Sequence, residues 1–117
     1  MEKEDLKIRT KKYAVRIIKL VEALTKTTTG RTIGNQLIRS GTSVAANYRA
    51  ACRGRSRAEF ISKIGIVIEE ADESAFWLEL IVESGLMKKE LLEPLLKETN
   101  ELVAIMVASS NTATKNK

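Results

Sequence analysis

Arginine is concentrated in one stretch of the chain, because residues 33–60 contain five: Arg39, Arg49, Arg53, Arg55 and Arg57. Arg49 and Arg53 are about one helical turn apart, and Arg55 and Arg57 follow in the corner before the next predicted helix. Guanidinium forks bind phosphate or carboxylate oxygens in pairs, which lysine cannot do. The free N–H groups at a helix start also attract anions. We name Arg49, Arg53, Arg55 and Arg57 the basic corner and expect it to bind nucleic-acid phosphates.

The basic corner has a simpler alternative interpretation as a charged surface that only keeps the protein in solution. The scarcity of aromatic residues near the basic corner also limits which kind of nucleic-acid binding we expect. Tyr48 is the only aromatic residue close to it in sequence before Phe60, whereas proteins that read single strands stack bases on several aromatic rings. Contacts to phosphates are therefore expected, and recognition of particular bases is not.

A line of polar residues runs along the same predicted helix, where Ser40, Ser43 and Asn47 are three or four residues apart. Polar groups inside a bundle need hydrogen-bond partners. We interpret the line as a buried network in which Ser43 and Asn47 bond across to the third helix. A ligand or nucleic-acid contact is the alternative. The predicted members of the buried polar network are Arg39, Ser40, Ser43, Asn47, Glu70 and Glu73, with Arg39 pairing one of the two glutamates.

The composition argues against an enzyme. Histidine is absent, which excludes nucleophile systems and metal sites that depend on it. Glu69 and Glu73 share a helical face and could form a carboxylate metal site, but a solvated or ion-paired face is the simpler interpretation. Cys52 is the single cysteine, so we expect no disulfide within the chain and an inert, buried thiol. We predict no catalytic residue, no metal and no cofactor.

Charge is distributed unevenly along the 117 residues, which carry a net charge of +5. Residues 1–63 contain fifteen Lys/Arg and five Asp/Glu, or +10, whereas residues 64–117 contain five and ten, or −5. Such asymmetry favours pairing between helices or a basic surface that faces an acidic partner. No apolar run approaches the roughly 20 residues of a membrane span, and Met1–Thr10 is too charged for a signal peptide. We expect a cytoplasmic protein that does not bind membranes.

Apolar periodicity and a shortage of helix breakers predict four helices in one domain. Their expected bounds are about 4–26, 32–53, 56–84 and 88–109, followed by a flexible polar tail over 110–117. Because the connections between them are short, the predicted fold is all-α, an antiparallel up-down-up-down four-helix bundle.

Particular residues predict where the first two helices begin and end. Residues 27–30 (TTTG) are poor helix formers and should end the first helix. Thr32 is the expected N-cap of the second helix. Gly54 should follow that helix in the left-handed conformation.

The third and fourth helices have their own end signals. Ser56 and Glu59 have the spacing of a capping box at the start of the third helix. Gly85 is the expected left-handed residue after it. Pro94 should interrupt the fourth helix, leaving a short turn before a new helical start.

The third predicted helix is apolar around more than half its circumference. A helix in a monomeric four-helix bundle needs only a narrower apolar stripe, and large exposed apolar patches usually mark an interface. We therefore expect the chain to self-associate through this helix, with four candidate interface residues: Phe60, Trp77, Leu80 and Ile81.

Residues 35–80 resemble the bacterial four helix bundle protein family, also called the 23S rRNA intervening-sequence-encoded proteins. The resemblance rests on Arg39-Ser40, Ala46-Asn47, the Arg55-Ser56 corner with Phe60, and the acidic run at 69–73 followed by Trp77-Leu78-Glu79. It implies a left-handed antiparallel four-helix bundle that assembles into a homopentamer, in a family whose molecular function is not established. The family is also similar to the accessory variability protein of diversity-generating retroelements, a pentameric basic barrel that binds nucleic acid and a reverse transcriptase.

Two functional hypotheses follow from the sequence. The first is a non-enzymatic oligomer that binds RNA or DNA through the basic corner, with a net charge of about +25 for five copies. The alternative is a protein-interaction scaffold whose arginines pair with acids of a neighbouring subunit or of another protein. The acidic second half of the chain weakens the first hypothesis, because it partly cancels the basic first half.

Overall fold

The computed structural model describes residues 2–116 and contains four α-helices: α1 (Lys3–Ala23), α2 (Thr28–Cys52), α3 (Arg57–Glu83) and α4 (Lys89–Lys115). No strand occurs in the described part of the chain. Each helix packs on the next one, and α4 closes the ring by contacting α1. The molecule is a rod of 48 × 20 × 19 Å, in which α1 and α3 lie diagonally opposite each other.

Neighbouring helices run antiparallel because their connections are short. The connections span residues 24–27, 53–56 and 84–88, so each helix starts at the end of the rod where its predecessor finished. The all-α four-helix bundle that the apolar periodicity predicts is therefore the observed architecture. One end of the rod brings together the start of α1, the connection between α2 and α3, and the last turns of α4.

The core is a single apolar cluster to which all four helices contribute. Its side chains repeat at three- and four-residue intervals, so each helix turns one stripe inward. Four polar side chains, Thr10, Ser40, Ser74 and Thr99, are also buried, and each makes a hydrogen bond. The largest fully buried side chains are Tyr13, Ile17, Leu37, Val44, Tyr48, Ile64, Val67, Leu78, Ile81, Leu92, Leu102 and Met106.

The boundary between α1 and α2 differs from the expected one. α1 ends at Ala23, and Thr27 rather than Thr32 caps α2, because its Oγ1 accepts a hydrogen bond from the Gly30 N–H at 3.1 Å. Gly30 is buried inside α2 against the backbone carbonyl of Thr25, where a β-carbon would clash. The absence of a side chain at Gly30 leaves room for the Thr25 carbonyl, and this glycine does not end a helix.

The two glycines that follow α2 and α3 behave differently. Gly85 has a φ of 74°, and the next N–H, of Leu86, donates to the Ile81 carbonyl at 3.2 Å, which completes the expected left-handed cap. Gly85 is the only residue with positive φ in the described range, so the left-handed conformation predicted for Gly54 is wrong. Gly54 instead donates its N–H to the Ala51 carbonyl at 3.0 Å, in a right-handed turn.

α4 runs without a break through Pro94, contrary to the expected interruption. Proline removes one backbone donor from the helix and crowds the preceding turn. Leu92 and Leu95, on either side of it, are buried at 0% and 3% exposure. Their packing in the core holds the turn in helical geometry.

The polar tail expected over residues 110–117 is instead largely helical. α4 continues to Lys115, and the Thr114 Oγ1 donates to the Ser110 carbonyl at 2.9 Å within this last segment. Lys117 lies outside the described residues. The extra turns extend α4 alongside the start of α1.

A close contact between α1 and α2 at Gly41 generates a prediction about stability. A β-carbon at Gly41 would lie 2.8 Å from two carbons of Ile17, whereas one at Gly65 in α3 would meet nothing within 4 Å. Gly41→Ala should lower the free energy of unfolding by about 1–2 kcal/mol, since overpacking costs about 1–3 kcal/mol and helix propensity returns part of it.

The matched control is Gly65→Ala, which should leave stability unchanged or raise it by up to about 1 kcal/mol. Urea denaturation followed by far-ultraviolet circular dichroism measures both variants. Equal effects of the two substitutions would contradict the close approach at Gly41.

Candidate functional site

The connection between α2 and α3 is fixed by hydrogen bonds that hold the basic corner in place. The Ser56 Oγ accepts from the Glu59 N–H at 3.1 Å. The Glu59 carboxylate in turn accepts from the Arg55 N–H at 2.6 Å, one residue earlier than a standard capping box reaches. Arg55 and Ser56 are thus tied to the first turn of α3. The N–H groups of Arg53 and Gly54 donate to carbonyls at the end of α2, so the arginines on the connection project from a defined backbone.

Arg49 and Arg53 lie on a groove between α1 and α2, with a volume of about 490 Å³. We call it the α1–α2 groove. Lys7 and Lys11 line its α1 side, one helical turn apart, opposite the two arginines. The only acidic residue in its lining is Glu4, which pairs with Lys7 at 3.0 Å. The remaining lining residues are Ile8, Thr42, Ala45 and Ala46.

Arg55 and Arg57 lie on a different cavity, of about 840 Å³, at the end of the rod. We call it the end pocket. The four arginines of the basic corner therefore divide into two pairs on adjoining surfaces. All four side chains are exposed, and none of them forms a salt bridge with any residue between 2 and 116.

Arg39 does not belong to the basic corner in space. Its guanidinium donates to Glu70 at 2.8 Å and also to Glu73, and its side chain is 48% exposed. The Trp77 indole N–H donates to the Glu73 carboxylate at 3.1 Å. Arg39, Glu70, Glu73 and Trp77 therefore form a clamp between α2 and α3 at the surface, where a buried network was expected.

The buried part of the predicted network is a pair of serines. Ser40 is fully buried, and its Oγ is 2.9 Å from the Oγ of Ser74 on α3. Ser43 and Asn47 do not cross to α3, contrary to the expectation, because the Asn47 amide donates to the Ser43 carbonyl within α2 at 2.9 Å. Ser74 was missed in the sequence because one serine in an apolar row carries no signal of its partner.

A second polar contact, between α1 and α4, was not predicted. Arg9 makes a bidentate pair with Glu98, at 2.8 and 2.6 Å, and reaches Glu101 at 3.2 Å. One turn away, the Tyr13 hydroxyl and the Thr99 Oγ1 are 2.6 Å apart in the core. Burial raises the pKa of the Tyr13 phenol, so it stays neutral. These contacts fix how α1 sits against α4.

The candidate interface residues on α3 occupy different environments. Ile81 is fully buried in the core of the same chain, so it is not available to a partner. Phe60, Trp77 and Leu80 are half-buried, and the Lys3 ammonium lies 4.6 Å from the centre of the Phe60 ring. The exposed apolar residue of α3 is Phe76, at 51% exposure, which the sequence interpretation overlooked.

The described residues contain neither a cluster of metal-ligating side chains nor a membrane-spanning helix. They contain no group of three or more His, Cys, Asp or Glu side chains placed to hold a metal ion. None of the helices, within residues 2–116, is both long and apolar enough to cross a membrane. The single thiol, of Cys52, is half-buried near the end pocket.

These features define a class of protein: a four-helix bundle with a cluster of unpaired arginines at one end. The family model of the 23S rRNA-intervening sequence protein matches residues 3–108, so the chain belongs to this family. It is similar to the crystal structure of a protein with unknown function from the S23 ribosomal protein family of Bacteroides thetaiotaomicron. That similarity has 32% identity and a TM-score of 0.88, and it covers 95% of this chain and 99% of that one. The comparison of this chain with curated proteins finds no match.

The comparison confirms the family that the sequence resembles. It says nothing of retroelement accessory proteins, so that part of the resemblance stays a prediction. Both the family and the solved relative point to a helical protein of unknown function, and neither names an enzymatic family.

The clamp generates a prediction about pH. Hydrogen bonds from Trp77 and then Arg39 lower the pKa of Glu73 below its usual 4.5. The stabilisation that ionised Glu73 gives the folded protein is therefore complete at pH values above the pKa of this residue in the unfolded chain. It is lost as the pH falls through the lower pKa of Glu73 in the folded protein. Glu73→Gln should destabilise the protein more at pH 7 than at pH 3, as measured by urea denaturation.

The control for this experiment is Glu69→Gln, one turn before Glu73 on α3. Glu69 is exposed and forms no salt bridge within the described chain. Its substitution should change stability by the same small amount at both pH values. A Glu73→Gln effect that is equally independent of pH would contradict the clamp.

Proposed function

We propose that this protein is a non-enzymatic module that binds RNA or DNA through phosphates at the basic corner, and that it does so as a homo-oligomer. The observation that supports it most is the α1–α2 groove. Two lysines of α1 and two arginines of α2 face each other, with the small Thr42, Ala45 and Ala46 and the larger Ile8 in the lining between them, and a single carboxylate stands among them. Such a groove suits an extended chain of phosphates, which the small lining residues allow to approach closely.

The charge balance of the groove adds to this support. Lys11, Arg49 and Arg53 form no salt bridge with residues 2–116, so no partner within the chain has to be displaced by a phosphate. Only Lys7 is engaged, with Glu4, at an exposed i, i+3 pair that contributes little to stability. The family name refers to 23S rRNA, which makes a fragment of that RNA the first probe to test.

The prediction is that Arg49→Gln/Arg53→Gln weakens binding to RNA and DNA of any sequence. In a salt titration, the slope of log K against log [salt] should become shallower by about 0.7 per lost contact on a single strand, or about 0.9 on duplex DNA. Fluorescence anisotropy with a labelled 23S rRNA fragment and with duplex DNA measures the affinity and the slope.

Lys26→Gln/Arg31→Gln is the matched control, because it removes the same charge from exposed positions near the opposite end of α2. It should leave the slope nearly unchanged. Binding that responds weakly to salt, or that both double variants reduce equally, would contradict a phosphate site in the groove.

The second part of the proposal is that the protein self-associates as a homopentamer of left-handed bundles. It is supported by two outward faces with complementary properties. The outward face of α1 exposes Ile8, Val15 and Ile18, at 52%, 46% and 39%, among exposed lysines. The outward face of α3 exposes Phe76 among carboxylates that form no salt bridge in the described chain. The charged residues in question are Lys11, Lys12 and Lys19 on α1, and Glu69, Asp72, Glu79 and Glu83 on α3.

Because α1 and α3 lie diagonally opposite, a contact between α1 of one copy and α3 of the next is head-to-tail. Contacts of this kind close into rings or continue as filaments. This arrangement also supports the alternative function as a protein-interaction scaffold. In that case the arginines of the basic corner would pair with acidic residues of a neighbouring copy. The two functions differ in what the arginines bind.

Phe76→Ser should shift the protein from oligomer toward monomer in multi-angle light scattering, since it removes the exposed apolar group of α3. Leu91→Ser on α4 is the control, because Leu91 is even more exposed, at 62%, but lies away from both faces. A wild-type monomer at micromolar concentration would contradict the assembly.

Arg53→Glu/Arg55→Glu separates the two functions. Loss of the oligomer with unchanged residual nucleic-acid affinity would support the scaffold.

A further inference from the structure

The end pocket is a concavity with a volume of about 840 Å³. It opens where the start of α1, the connection between α2 and α3, and the last turns of α4 converge. Pockets that hold small molecules occupy roughly 300–1,000 Å³, so its size is suited to such a ligand. The α1–α2 groove, which carries the proposed nucleic-acid contacts of Arg49 and Arg53, lies on the adjoining side of α2.

The floor of the end pocket is apolar and belongs to the core. Leu6, Tyr48 and Ala51 reach it with exposures of 3%, 1% and 2%. The half-buried Phe60 and Ile105 complete it from α3 and α4. A ligand on this floor gains hydrophobic stabilisation mainly by covering the half-buried Phe60 and Ile105, because the three core residues already expose almost no surface to water.

The rim of the end pocket is cationic. Lys3, Arg55 and Arg57 are charged lining residues, and the lining contains no aspartate or glutamate. None of the three forms a salt bridge with another residue of the described range. The pocket therefore combines a carbon floor with a positive mouth that the folded chain leaves uncompensated.

We propose that the end pocket binds a small amphipathic anion, with its apolar body on the floor and its carboxylate or phosphate head against Arg55 and Arg57. Guanidinium groups suit both heads, because each head offers two oxygens to one fork. This site goes beyond the proposed nucleic-acid function, because it takes a separate small molecule in a cavity that is distinct from the α1–α2 groove. It gives Arg55 and Arg57 a role in addition to the phosphate contacts proposed for the basic corner.

One wall of the pocket is formed by the last turns of α4. Ser109, Thr112 and Ala113 of α4 line it, and they lie after the residues 3–108 that the family model matches. Helical extension of α4 to Lys115 brings this wall into place. Its hydroxyl groups add neutral hydrogen-bond donors beside the cationic rim.

Isothermal titration calorimetry with decanoate, decyl phosphate and 1-decanol, each below its micellar or solubility limit, tests the proposal. We expect at least one of the two anions to bind once per protomer, and at least tenfold more tightly than the alcohol. Equal affinity for the alcohol would mean that the pocket does not recognise the anionic head, which would overturn the proposal. Failure of both anions to bind would also overturn it.

Variants locate the site and separate it from the nucleic-acid groove. Arg55→Gln/Arg57→Gln should weaken anion binding at least tenfold, and Ala108→Trp, at an exposed lining position, should block it. Lys26→Gln/Arg31→Gln should bind as the wild type does. Arg49→Gln/Arg53→Gln should lose nucleic acid and keep the anion, so either function can fail without the other. Anion binding that is insensitive to both Arg55→Gln/Arg57→Gln and Ala108→Trp would overturn the assignment to this pocket.

Discussion

The register between α2 and α3 determines how the basic corner is presented. Three features fix it: the short connection capped by Ser56, the buried contact between Ser40 and Ser74, and the surface clamp of Arg39 on two glutamates. A slip of one helical turn would displace one helix by about 5.4 Å. It would separate Ser40 from Ser74 and Arg39 from its glutamates, although each serine hydroxyl would keep a carbonyl acceptor in its own helix. Because the register is fixed, two arginines face α1 and two face the rod end.

The packing of α1 on both of its neighbours brings distant charges to the same end. Arg9 with Glu98, and Tyr13 with Thr99, set α1 against α4. The packing of α1 on α2 places lysines from the first turns of α1 beside arginines that follow them by about forty residues in sequence. Both proposed anion-binding surfaces are therefore composite. Each needs a local turn and a long-range contact, and neither could be formed by a single helix.

The sequence predicted the number, order and approximate bounds of the helices, because apolar periodicity reports directly on which face is buried. It predicted the Gly85 cap for a similar local reason. It was wrong at Gly30, Gly54 and Pro94, where neighbouring packing decides the backbone conformation. The lysines of the groove and the exposure of Phe76 were missed because both depend on which helices become neighbours, and residue spacing within one helix does not contain that information.

The uneven charge of the chain bears on how a bundle with an acidic half could bind nucleic acid. The unpaired acids concentrate on the outward face of α3, diagonally across the bundle from α1, so they repel a nucleic acid from that side and leave the α1–α2 groove accessible. In a head-to-tail assembly, the face of α3 would be covered by lysines of the next copy. Ile8 and Lys11 belong both to the outward face of α1 and to the lining of the groove, so the next copy would reach one edge of the groove, whereas Lys7, Arg49 and Arg53 lie outside that face. Self-association would then leave these three cations available to phosphates while it removes the acidic surface that opposes their binding.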